Sequence, residues 1–157
     1  MSYTGLTLGH TQAVENVTIQ DCDIVVPVFV QTDGRVQFRS TTMKLSPAAQ
    51  LIVRRPASAG SGVTEFIQCR VEKNVTSDAQ VAIKLEDQGA GGSNVWFQQC
   101  MFNNPDGTAG IQPFISSSNS VTKTWFDASY ADQTAANVLD QGGTLSNPNG
   151  VTLIAMH

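Results

Sequence analysis

Charge, histidine and long apolar runs are all scarce in this chain, and each shortage removes a class of function. Charged side chains make up 14% of the 157 residues, 13 acidic against 9 basic, for a formal charge of −4. Phosphate binding needs a concentrated patch of Lys and Arg, and none is present, so nucleic acid is not an expected partner. No stretch approaches the roughly 20 apolar residues of a membrane helix, so no membrane partner is expected. Met1 to Gly9 has neither the basic nor the apolar region of a signal peptide. The chain therefore reads as a complete, cytoplasmically made protein. The Asn-Val-Thr sequons at Asn16 and Asn74 are then without consequence, because glycosylation needs a secretory route.

The same shortages limit chemistry. The cysteines are three and far apart, Cys22, Cys69 and Cys100, which suggests free thiols rather than a disulfide framework. Neither Cys-x-x-Cys nor His-x-x-x-His occurs, so no metal or cofactor is expected. A nucleophile needs a base beside it, and of the two histidines only His10 is not the terminal residue, His157. Gly89-Ala-Gly-Gly92 lacks the Gly-Lys-Ser/Thr of a phosphate loop and leads into a strand. Arg54-Arg55 reads as a solvated edge. Glycoside cleavage needs two carboxylates around a sugar. Asp21, Asp23, Glu65 and Glu72 are the candidates, but they do not concentrate in one sequence patch. The expectation is a protein that is not an enzyme.

What the chain does have is a repeat. Asn16-Val-Thr-Ile-Gln-Asp-Cys22-Asp-Ile24, Val63-Thr-Glu-Phe-Ile-Gln-Cys69-Arg-Val71 and Asn94-Val-Trp-Phe-Gln-Gln-Cys100-Met-Phe102 align on their cysteines. With Cys at position zero, position −3 is Ile19, Phe66 or Phe97, and position +2 is Ile24, Val71 or Phe102. Position −1 is polar: Asp21, Gln68 or Gln99. Weaker members are Val36-Phe38-Thr41-Met43, Trp125-Ala128-Tyr130 with Asp127 at −1, and Val151-Leu153-Met156. Zero positions then fall at 22, 41, 69, 100, 128 and 156, at intervals of 19, 28, 31, 28 and 28 residues. Positions −5 and −3 alternate as one strand face does, and so do 0 and +2. The odd step between −3 and 0 implies a bend joining two short strands.

This pattern predicts an all-β fold, a short parallel β-helix (β-solenoid) of about five to six coils. The alternative is an antiparallel β-sandwich or jelly roll. Residues 1–14 read as an N-terminal arm or leader, and 15–157 as a single β-helix domain. Asp127 to Leu139 could hold one helical turn capped by Asp132. The cysteines are expected in a buried column, packing as small hydrophobes. Phe97 and Trp125 take the inward −3 position, which turns Trp96 and Phe126 outward. The apolar end Val151-Thr-Leu-Ile-Ala-Met156 has no polar cap. Trp96, Phe126, Leu153, Ile154 and Met156 are therefore the expected interface residues, and a homotrimer the expected assembly.

The Asn-Val-x-Ile/Phe-x-x-Cys-x-Ile/Phe motif resembles the pectate-lyase-like right-handed β-helices over most of Glu15 to Tyr130. That resemblance implies a right-handed coil. Family enzymes carry calcium-binding aspartates or basic catalytic residues on one face, and no such set maps onto this chain. A short, Thr/Asn/Gln/Ser-rich β-helix is also similar to virion proteins of tailed bacteriophages. The resemblance implies a structural virion protein, first a capsid decoration (cement) protein bound to the major capsid protein or another virion subunit. A receptor- or glycan-binding tail fibre or spike component is the alternative, and a polysaccharide lyase or hydrolase the next.

Overall fold

The structure is a computed structural model that describes residues 5–9, 16–46, 49–54, 56, 60–73, 83–86, 90–103, 115–117, 122–127, 130–131, 139–140 and 151–153. At Lys73 and from residue 103 on, it describes the backbone. Among the described residues, every paired strand belongs to one of three parallel sheets, with strands numbered in chain order. The first sheet holds β1 (Leu6–Gly9), β4 (Val28–Gln31), β7 (Leu51–Arg54), β10 (Ile83–Glu86), β13 (Ile115–Ser117) and β16 (Leu139–Asp140). The second holds β2 (Asn16–Gln20), β5 (Arg35–Arg39), β8 (Ser61–Ile67), β11 (Gly92–Gln98), β14 (Thr122–Asp127) and β17 (Val151–Leu153). The third holds β3 (Asp23–Ile24), β6 (Thr42–Leu45), β9 (Arg70–Lys73), β12 (Met101–Asn103) and β15 (Tyr130–Ala131). The chain visits the sheets in rotation, so each sheet takes every third strand. One strand from each sheet makes a tier.

Parallel neighbours cannot be joined by a hairpin; the chain must travel away and return. Here the return path is the other two sheets, an arrangement compatible with a β-helix. The antiparallel sandwich is overturned for the described residues: the one antiparallel contact is the isolated Ser46–Ala49 bridge.

Equivalent positions line up tier on tier because the register is unshifted. In the first sheet Leu6, Val28, Leu51, Ile83, Ile115 and Leu139 are in line. In the second the line is Ile19, Phe38, Phe66 and Phe97. In the third it is Ile24, Met43, Val71 and Phe102. Phe38, Phe66 and Phe97 are 0% exposed. Their rings stack nearly parallel, with centroids 5.1 Å and then 4.7 Å apart. Phe102 meets Phe97 edge-on at 5.3 Å. Each buried ring is worth about 1.5–3 kcal/mol in burial, and each aromatic contact adds about 0.5–1.5 kcal/mol.

The bend between the second and third sheets has one construction in four tiers. Asp21, Ser40, Gln68 and Gln99 are left-handed, with φ of 54°, 47°, 54° and 53°. This is the −1 column, and its polar character has a reason: the residue sits on a tight corner facing solvent. An L-residue there costs roughly 1–2 kcal/mol. Hydrogen bonds between tiers offset that cost. Asp21, Ser40 and Gln68 donate their N–H to Arg39, Ile67 and Gln98 of the next tier at 3.1, 3.0 and 2.8 Å.

Two expectations change. The register of β14 is one residue off the sequence alignment: Phe126, not Trp125, is in line with Phe97, and Trp125 is in line with Trp96. Ala131, not Tyr130, is in line with Phe102. A period-two pattern tolerates such a slip where adjacent residues are both aromatic. Leu6–Gly9, assigned to a leader, forms β1 and pairs with β4. Of the segment expected to hold a helical turn, Asp127, Tyr130–Ala131 and Leu139 lie in strands; residues 128–129 and 132–138, with the expected cap Asp132, lie outside the described residues.

Candidate functional site

The position-zero column is a ladder of small polarisable side chains. Cys69 Sγ donates to Phe38 O at 3.3 Å and Cys100 Sγ to Phe66 O at 3.2 Å, each reaching the preceding tier. Each also lies 3.5 Å from the carbonyl two residues back in its own tier. Thr41, in the same column, bonds Arg39 O in that way at 2.9 Å, and Cys22 Sγ approaches Thr41 Oγ1 at 3.9 Å. Contact with the Cys69 thiol and burial push the Cys100 thiol well above its ordinary range. A thiol held protonated in the core is a poor nucleophile. Cys69 and Cys100 are buried as expected, but Cys22 is only partly so. It lies in the first tier, with no described strand on its outer side.

The four candidate acids are not brought together. Asp21 stands on the corner of the first tier. Asp23 and Glu72 project from the third sheet two tiers and two residues apart, roughly 12 Å by strand spacing and rise. Asp23 pairs with Lys44 at 3.2 Å and Glu72 with Arg70 at 2.7 Å. Glu65 projects from a different sheet.

Glu65 is the unusual member. It sits at an outward position of β8 yet is only 8% exposed. Val63 and Ile67 flank it on its own strand, and Trp96 lies opposite it on β11. Arg35 grips the carboxylate with two bonds, Nε to Oε2 at 2.6 Å and Nη2 to Oε1 at 2.9 Å. Gln37 Nε2 donates to Oε2 at 2.6 Å. Burial alone would raise the Glu65 pKa. The bonds from Arg35 and Gln37 and the charges of Arg35 and Arg39 outweigh it, and the carboxyl lies below its ordinary value. A general acid for glycoside cleavage needs the opposite shift.

Arg54 is not a solvated edge. Its Nη2 and Nε reach Glu86 Oε2 at 2.6 and 2.9 Å, and its guanidinium lies 4.8 Å from the centroid of the Phe29 ring. Among the described residues, no group of three or more His, Cys, Asp or Glu side chains could hold a metal ion, and no helix is long and apolar enough to cross a membrane.

Of the expected interface residues, Trp96 is half-buried beside Glu65. The register places Phe126 in line with the inward phenylalanines, and Leu153 in line with Phe126 on β17, an edge of the second sheet. Ile154 and Met156 lie outside the described residues. Among the described side chains, the large apolar ones most exposed are ones the sequence did not single out, Val25 at 59% and Met101 at 42%. Met101 could have been found, since position +1 faces outward; Val25 breaks the alternation in a link and carried no signal.

No known protein family matches the chain, and no curated protein and no solved structure matches it either.

Proposed function

We propose that the chain is a short β-helix of about five to six coils serving as a structural virion protein of a tailed bacteriophage. Within that class we assign it to capsid decoration, a cement protein that braces the head as a homotrimer bound to the major capsid protein. The observation that carries this reading is the tier-to-tier bracing. Asp23–Lys44, Arg35–Glu65 and Arg54–Glu86 each join successive tiers. The buried thiols donate to the backbone of the tier before. Side chains that could do chemistry are thus spent on rigidity, as a load-sharing part requires. The virion assignment itself rests on the resemblance of the cysteine-centred motif and on composition.

The test is where the protein sits in the particle. Antibody against it should decorate the heads of virions in negative-stain images. In solution, light scattering should return three times the 16.8 kDa chain mass. Absence from virions would sink the reading, and a monomer would sink the trimer.

A second reading, a receptor- or glycan-binding fibre component, is favoured by one observation. Trp96 stands beside the oriented Arg35–Glu65–Gln37 cluster, an aromatic surface next to fixed polar groups. Gold label at tail tips, and loss of host-cell adsorption in Trp96→Ala, would support it over decoration.

A further inference from the structure

We propose that Glu65 is a proton-operated latch between β5 and β8, holding Arg35 when ionised and releasing it when protonated. The argument begins with where the carboxylate lies. An outward residue of a strand is normally wet, but Val63, Ile67 and Trp96 shelter this one. A sheltered carboxylate needs partners, and β5 supplies them in register: Gln37 directly opposite, with Arg35 and Arg39 two residues to either side. Both carboxylate oxygens are taken, one of them twice. From β11 the facing residues are Trp96, Asn94 and Gln98, none of which titrates. Among the described residues, Arg35 and Arg39 are therefore the charges the carboxylate answers to.

A proton on Glu65 changes this set abruptly. The carboxyl loses its charge, and its free site on Oε1 becomes a donor, so the two bonds from Arg35 lose the charge assistance that made them strong. The Arg35 side chain is half exposed and has water to go to. The interior behind Glu65 has no reason to move, because Thr64 and Phe66 point the other way and are buried. The outcome is a local change on one face: an anion-clamped guanidinium at neutral pH, a free guanidinium on β5 in acid. This goes beyond the virion reading and does not depend on it.

The experiment is an NMR titration of the full chain, following the Glu65 side-chain carboxyl carbon and the Arg35 Nε resonance together. Both should move with one midpoint, below the ordinary glutamate value of about 4.3. Exchange of the Arg35 Nε proton with water, taken relative to the rate of a free arginine at the same pH, should become roughly tenfold faster across it, as loss of a charge-assisted hydrogen bond implies. A midpoint at or above the ordinary value, or an Arg35 signal that ignores the carboxyl, would overturn the latch. If the fold fails in acid first, Glu65→Gln at neutral pH decides. It removes the charge and keeps the shape, so Arg35 should appear already released; an Arg35 signal unchanged from the parent refutes the proposal.

Discussion

The first tier and the three that follow share a pattern but not an environment. Ile19 and Phe38 occupy the same column, and so do Cys22 and Cys69. Yet Leu6, Leu8, Val17, Ile19 and Cys22 are only partly buried, whereas Val36, Phe38, Phe66, Val95 and Phe97 are fully so. The difference is not in the residues but in what lies beside them. An inward side chain here is buried less by its own tier than by its neighbours on both sides. β1, β2 and β3 each have a described partner strand on one side only. Stability should therefore be graded along the stack, strongest in the middle.

Thiol labelling gives the largest contrast. Cys22 should react with a thiol reagent in the native state, while Cys69 and Cys100 wait for unfolding. The rates should differ by roughly a thousandfold or more, given ordinary domain stability. Equal rates for all three would erase the gradient. Next comes truncation. Phe66→Ala should cost about 3–5 kcal/mol in urea unfolding, as large-to-small changes in a packed core do. Ile19→Ala, half-buried at the end, should cost on the order of 1 kcal/mol. Similar costs at the two sites would show that the first tier is covered as well as the middle. Gly62→Ala probes the middle from the backbone side. A Cβ there would collide with the Thr32 carbonyl oxygen, which cannot swing away as a side chain would. The expected loss is about 1–3 kcal/mol.

Smaller effects sharpen the picture. Gln68→Gly relieves a left-handed corner and should stabilise by up to about 1 kcal/mol, less what the Gln68–Gln99 amide bond contributes. The ion cluster makes stability depend on pH in the middle tiers. Glu65 has a folded pKa below its unfolded one, so its contribution is fully present above about pH 4.3. It is lost as pH falls through the folded value. Glu65→Gln should flatten that part of the urea-midpoint profile, and an unchanged profile would put the acid sensitivity elsewhere.

The second and third sheets were legible because their junction is constant. In four tiers two residues separate the strands, one left-handed and polar, one small and inward: Asp21-Cys22, Ser40-Thr41, Gln68-Cys69 and Gln99-Cys100. A fixed offset survives alignment by eye. The first sheet was missed although its aliphatic pairs, Val28 with Val30, Leu51 with Val53 and Ile83 with Leu85, are plain in hindsight. The links that reach it differ in length from tier to tier, so no fixed spacing ties those pairs to the cysteines. The Arg35–Glu65 grip was hidden for a related reason. Thirty residues separate its partners, and only the pairing of β5 with β8 brings them together. The one-residue slip in β14 shows the limit of the template where no cysteine anchors it.

The two-residue corner also says where this chain can grow. Where the geometry repeats unchanged, an inserted residue would turn every side chain downstream to the wrong face. The links into the first sheet already absorb different lengths, from the short passage after Ile24 to the long one after Asn103. Doubling such a link costs only about 0.6 kcal/mol in closure entropy. Foreign peptides should therefore be accepted between β9 and β10 or between β12 and β13 and refused at the corner.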